Sequence, residues 1–174
     1  MRRETPDADD GPEPQRTSER AALAETRAIY RLAGAAYSAF SCLASGECCQ
    51  LTARNREPWL WPSEWRLLLA RGPVPPPRPD GGCPFLDESG KRCAAYADRA
   101  FGCRTYFCAR RSGPSREPGD EVQRLLRRLE KANQQAWPEV TGPRRMLELA
   151  ALPPPEPGSG ATNPWALTES RPKR

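Results

Sequence analysis

Cys42-Leu43-Ala44-Ser45-Gly46-Glu47-Cys48-Cys49 is separated by 33 residues from Cys83-Pro84-Phe85-Leu86-Asp87-Glu88-Ser89-Gly90-Lys91-Arg92-Cys93, and Cys103 and Cys108 follow. These positions hold all seven cysteines of a 174-residue chain that has no histidine. The lack of imidazole excludes Ser-His-Asp and Cys-His catalysis and every zinc site that uses histidine. An odd number of thiols cannot be fully paired within one chain, and a reducing cytoplasm keeps most of them free. Metal ligation or redox work is therefore the chemistry they point to. Thiolate is a soft anion that suits Zn²⁺ or iron-sulfur clusters, and four such ligands close a tetrahedral centre. Seven exceed what one site requires. Cys48 and Cys49 cannot form an unstrained disulfide with each other, because consecutive Cα atoms are only about 3.8 Å apart. Both remain able to serve a metal.

The segment Cys83–Cys93 reads as a short hairpin, with Asp87 to Gly90 supplying turn chemistry. A loop of three or five residues makes Cys83 and Cys93 direct cross-strand partners, and a loop of four sends them to opposite faces. Upstream, residues 73–82, rich in proline and glycine, can hold neither helix nor central strand and are expected to be an exposed connection. Before them, Pro62 in a first turn, Ser63-Glu64, and Trp65, Leu67, Leu68 and Leu69 predict a helix over 62–71, stopped by Gly72-Pro73. A hydroxyl cap at Thr17 or Ser18 and apolar residues from Ala22 to Phe40 predict another over 18–39, which delivers the chain to Cys42. Downstream, Asp120 caps a third helix to 136, where Val122, Leu125, Leu126 and Leu129 fall on one face. Pro143 followed by Met146, Leu147, Leu149 and Ala150 suggests one more short helix.

Residues 1–16 and 153–174 are proline-rich and lack apolar periodicity, so both are expected to be disordered. The fold class that follows is a small, irregular α-rich (α+β) metal-centred domain over residues 17–152, with three to four helices, one short β-hairpin and disordered termini. With 21 prolines and 37% hydrophobic residues, a single large core is not expected, and the metal would substitute for part of it.

The net charge is +5, with 27 basic residues. All but Lys91, Lys131 and Lys173 are arginine, a bias that a GC-rich genome produces by itself, so nucleic-acid binding is disfavoured. Four thiolates around a divalent ion or a doubly charged cluster carry about −2 and would absorb part of that excess. The run Arg124, Arg127, Arg128, Lys131 reads as a solvated helix face before a phosphate-binding one. Trp59, Trp61 and Trp65 read as core packing before a stacking platform. No run of about 18 apolar residues exists, and the start lacks a secretion signal, so membrane insertion and export are not indicated; a reducing, bacterial-type cytoplasm is the expected compartment.

The cysteine pattern resembles the YkgJ-like cysteine-cluster family, described as carrying a zinc- or iron-chelating domain. Its signature is C-x-x-C-x-x-C-C, and Cys42, Ser45, Cys48 and Cys49 stand at those four positions. Further family motifs resemble Cys83-Pro84-Phe85-Leu86, Cys93-Ala94-Ala95-Tyr96 and Arg99-Ala100-Phe101-Gly102-Cys103-Arg104. The likeness spans roughly residues 38–108 and is more specific than an isolated C-x-x-C. Departures are Ser45 for cysteine, and Ala100 and Phe107 where proline is common. A serine hydroxyl is a poor soft-metal ligand, so Cys42 or Cys108 would have to complete any site that needs the missing thiolate.

The expected function is a cytoplasmic metal-binding protein with a Cys-ligated zinc or iron-sulfur centre, structural or redox. Cys48, Cys49, Cys93 and Cys103 are the leading ligands, then Cys83, then Cys42 and Cys108. Arg92, Arg99 and Arg104 lie close enough in sequence to favour thiolates. Two other classes stand beside this: an iron-sulfur enzyme acting in protein modification or electron transfer, and a zinc-stabilised module binding protein or nucleic acid. Whether the chain is an enzyme at all is left open. The partner expected in every case is the metal ion or cluster; a protein partner is left open, nucleic acid is disfavoured and no membrane is expected.

Overall fold

In a computed structural model the described residues are 13–41, 45–106, 113–114, 117–152 and 165. Among them are five α-helices and one two-stranded antiparallel pair, an α-rich arrangement as expected. Cys42 and Cys108 lie outside these residues, as do 1–12 and all of the 153–174 tail except Trp165.

Helix α1 runs Glu13–Ala36, starting well before the position its hydroxyls suggest. Thr17 and Ser18 do not cap it. Their hydroxyls donate back to Glu13 O (3.0 Å) and Gln15 O (2.8 Å), a bond open to these side chains inside a helix. Pro14 fits a first turn, and the Glu13 carboxylate suits the positive end of the dipole. The expected disordered arm therefore fails at residues 13–16. The helix ends at Ala36, and the chain continues in tight turns through Phe40.

Helix α2, Pro62–Leu69, begins where proline at the first position places it. Helix α4, Gly119–Ala136, lies along α1 and buries Leu125, Leu129, Asn133 and Ala136 against it. Three elements were not expected. Helix α3, Phe101–Arg104, is one turn long. Strand β1, Trp59–Leu60, pairs with β2, Arg144–Arg145, with Trp59 opposite Arg145 and Leu60 opposite Arg144. Helix α5, Met146–Ala150, follows β2; its start is held by Pro58 O, which accepts from Met146 N (3.1 Å), and by Glu57 Oε1, which accepts from Leu147 N (2.6 Å).

The core is built from Ile29, Leu68, Leu125, Leu129 and Leu149 of the helices with Leu60 of β1, all fully buried. Cys49, Cys93 and Cys103 are half-buried at the margin of this core, and Cys83 is inside it. Trp61 and Trp65 are core residues, as expected, whereas Trp59 is 53% exposed. Trp165, the one described residue of the tail expected to be disordered, is buried in the same core.

A polar relay joins the three main helices inside the apolar core. The Thr26 hydroxyl of α1 and the Ser63 hydroxyl of α2 are hydrogen-bonded at 2.7 Å. Ser63 N donates to Asn133 Oδ1 of α4 (2.9 Å), and Asn133 Nδ2 donates to Leu129 O (2.8 Å). Each side chain of this relay thus has a partner, the condition for tolerating it there.

Candidate metal centre

Three segments bring five thiols to one region. The first is the 3₁₀ turn Glu47–Cys49, which opens at Gly46 in the left-handed region (φ 71°). A Cβ on Gly46 would sit 2.0 Å from Gly90 O, so only glycine lets this turn pack on the tip of the second segment. The Ser45 hydroxyl accepts from Glu47 N at 3.5 Å, a weak local cap at the position where a motif cysteine is replaced.

The second segment is the predicted hairpin, formed as an isolated antiparallel bridge between Leu86 and Cys93. Asp87 N donates to Arg92 O (2.8 Å), leaving the four-residue loop Glu88–Lys91. The Asp87 carboxylate builds that loop by accepting from Ser89 Oγ (2.7 Å) and Arg92 N (3.1 Å). This is the register in which Cys83 and Cys93 are not cross-strand partners. Cys83 escapes the alternation because it precedes the strand, in a turn closed by Leu86 N donating to Cys83 O (3.0 Å). Its own N–H donates to Cys49 O (2.7 Å), and Thr52 N donates to Gly81 O (3.1 Å), which seams the second cysteine group onto the first.

The third segment is α3, which carries Cys103. Its first N–H, on Phe101, donates to Glu64 Oε1 (2.6 Å). The same carboxylate accepts from Tyr30 Oη (3.1 Å) and from Trp61 N (3.0 Å). Glu64 is 1% exposed, and burial holds its carboxyl above the ordinary range. Sequence reasoning took Glu64 only as a helix-start signal; a glutamate three residues after the cap, reaching back to the cap's N–H, is a recognisable pattern, but its hold on α3 is not visible in one dimension.

Cys48 Sγ and Cys49 Sγ are 3.9 Å apart. Their shared hydrogen bond and then burial push the Cys48 thiol far up. The same bond lowers Cys49, but its bond with Cys83, burial and the neighbouring thiols outweigh it and push Cys49 up to about 12. Burial, then the charges of Cys49, Cys48 and Cys93, push Cys103 up to about 12. Burial also raises Cys93. Cys83 Sγ meets Met146 Sδ at 3.8 Å, a core contact. The upward shifts of Cys48, Cys49, Cys93 and Cys103 oppose their joint ionisation. Among the described residues, no three cysteine, aspartate or glutamate side chains are arranged to hold a metal ion.

Of the three arginines singled out, Arg92 is exposed and enters the hairpin turn through its backbone. The Arg104 guanidinium lies 3.9 Å over the Tyr30 ring, and its Nε donates to Arg99 O (2.9 Å). Arg99 lies 4.0 Å over the Tyr96 ring, its charge favours the thiolates of Cys48 and Cys93, and its Nε is buried with no hydrogen-bond partner. Arg128, from the basic run, binds Glu25 through Nε (3.0 Å) and Nη2 (2.7 Å), and Arg124 pairs with Glu121. No described helix is long and apolar enough to cross a membrane.

No family model matches the chain, and no curated protein or solved structure shows significant similarity to it.

Proposed function

We propose that this chain is a cytoplasmic metal-binding protein whose centre, zinc or iron including an iron-sulfur cluster, is ligated by Cys48, Cys49, Cys93 and Cys103, with Cys83 as the next candidate. The observation that carries this reading is the gathering of five thiols from three segments, two of them joined by the Cys83 N-to-Cys49 O bond (2.7 Å) and the third fixed to α2 by the Phe101 N-to-Glu64 bond (2.6 Å). Order and spacing of the motifs, which resemble the YkgJ-like cysteine-cluster family, support it. The donor set fits as well. A buried N–H on Arg99 that lacks an acceptor, beside thiols whose ionisation it favours, is suited to an anionic thiolate centre.

In this reading Cys48 and Cys49 supply ligands from a turn, Cys93 from the hairpin and Cys103 from α3, so loading draws the segments together and couples metal binding to folding. The metal would supply either a structural cross-link or, as iron, electron transfer. The test is metal and acid-labile sulfide content with a visible spectrum, on protein purified without oxygen and without a chelating tag. Iron, sulfide and broad absorption identify a cluster; stoichiometric zinc without colour identifies a structural site. Protein that carries no metal and takes up neither zinc nor iron on titration overturns the reading.

A further inference from the structure

A cleft of about 680 Å³ opens between the turn after Cys49, the β1–β2 pair, α3 and α4. Its apolar lining includes Leu51, Trp61, Phe101 and Leu129, and Cys48 and Cys103 are also on its wall. Among the described residues, four charged ones line it: Glu57, Glu64, Arg56 and Arg145. Both carboxylates are committed to backbone N–H groups, Glu57 to Leu147 (2.6 Å) and Glu64 to Phe101 (2.6 Å) and Trp61 (3.0 Å).

Neither guanidinium is ion-paired among the described residues, although the Glu57 carboxylate shares the lining. Arg54, Arg66, Arg71 and Arg78 each pair with a carboxylate, but Arg56 and Arg145 have none among the described residues. Each lies over an aromatic ring instead, Arg56 at 2.9 Å from the Tyr106 centroid and Arg145 at 5.3 Å from that of Trp59. The chain is turned to deliver Arg56. Asn55 takes a left-handed conformation (φ 47°), and Arg56 N donates back to Leu51 O (2.8 Å), a conformation that asparagine tolerates better than most residues. Two cations over π faces, in a concave site with low-dielectric walls, concentrate positive potential where water is partly excluded. The half-exposed Trp59 adds a stacking surface.

We propose that this cleft binds an organic anion, a carboxylate or phosphate monoester borne on a planar apolar body, with the anionic group between Arg56 and Arg145 and the body against Trp59 and the apolar lining. The ligand then lies beside the wall that holds Cys48 and Cys103. Binding requires no metal at those thiols, so this inference and the metal reading fail separately.

The probe is phenyl phosphate, with benzoate as a second anion and benzyl alcohol and inorganic phosphate as controls, titrated by calorimetry and tryptophan fluorescence into the full chain. Arg56→Gln and Arg145→Gln are each expected to raise the Kd for phenyl phosphate at least tenfold with an unchanged circular dichroism spectrum, and the double variant to abolish binding. Arg145→Lys keeps the charge and is expected to lose less than Arg145→Gln. Arg127→Gln, exposed on α4 outside the cleft, leaves affinity unchanged. No binding at millimolar phenyl phosphate, equal losses in the Arg127 and Arg145 variants, equal losses in the two Arg145 variants, or binding of benzyl alcohol as tight as that of phenyl phosphate overturns the proposal. Inorganic phosphate binding as tightly as phenyl phosphate overturns the role of the apolar body.

Discussion

Glu64 Oε1 and Phe101 N are 2.6 Å apart, and through that bond a fully buried carboxylate of α2 fixes the helix that carries Cys103. Truncation by Glu64→Ala leaves Phe101 N, Trp61 N and the Tyr30 hydroxyl without their acceptor. A cost of about 3 kcal/mol or more is expected, read as a drop in the denaturant midpoint without a change in slope. A loss below about 1 kcal/mol would show that these donors find other partners.

The same carboxyl has a pH signature. Burial raises its native pKa above the value of 4.5 taken for an unperturbed glutamate, so the native state binds the Glu64 proton more tightly than the unfolded state does. Its stabilising contribution is complete below that unfolded value and declines as pH climbs through the raised native one. Glu64→Gln removes the titration, so the stability gap between wild type and variant should narrow from pH 5 to pH 8. A gap that widens would mean that the three donors hold the carboxyl ionised against desolvation.

Cys93→Ser and Cys103→Ser are expected to lower bound metal and melting temperature together, because ligation and folding are linked. Cys83→Ser separates the two effects: its contact with Met146 Sδ belongs to the core, so it should destabilise even chelator-stripped protein. Unchanged metal content in both the Cys93 and the Cys103 variants would sink the ligand assignment.

Two glycines should respond in opposite directions. Gly46→Ala places a methyl against Gly90 O in a left-handed backbone and is expected to cost about 2 kcal/mol or more and to reduce metal content. Gly34→Ala, in the last turn of α1 with open space around it, should stabilise by roughly 0.5 kcal/mol. Thermal melts of the two variants, each compared with the wild type, decide the matter.

What the sequence disclosed follows the range of the forces involved. Helix α2 was legible because its proline start is local and α4 because its apolar spacing is, although Asp120 lies inside the first turn of α4 and does not cap it; the hairpin turn was legible because Asp87 and Gly90 act within a few residues. The start of α1 was misplaced because a threonine or serine hydroxyl that bonds backward looks the same in sequence as one that caps forward. Helix α3 is too short to show a period and depends on a carboxylate from another element. The pairing of Trp59 with Arg145 joins two-residue strands far apart in the chain, which leaves no alternation to read. The approach of the five described cysteines could not be read in one dimension, because it rests on backbone bonds between loops, and whether Cys42 and Cys108 join them falls outside the described residues.

The Thr26–Ser63–Asn133 relay has a consequence that apolar packing alone would not bring. Alanine and leucine ridges can be exchanged for similar ridges one helical turn away with little loss. A hydrogen bond in a dry interior has a direction as well as a length, and a slip of α4 by one turn would strand the Ser63 N–H and the Asn133 amide together. The relay thus works as a key in a shaft, fixing the rotational phase of three helices and, through Glu64 one residue after Ser63, the angle at which α3 presents Cys103.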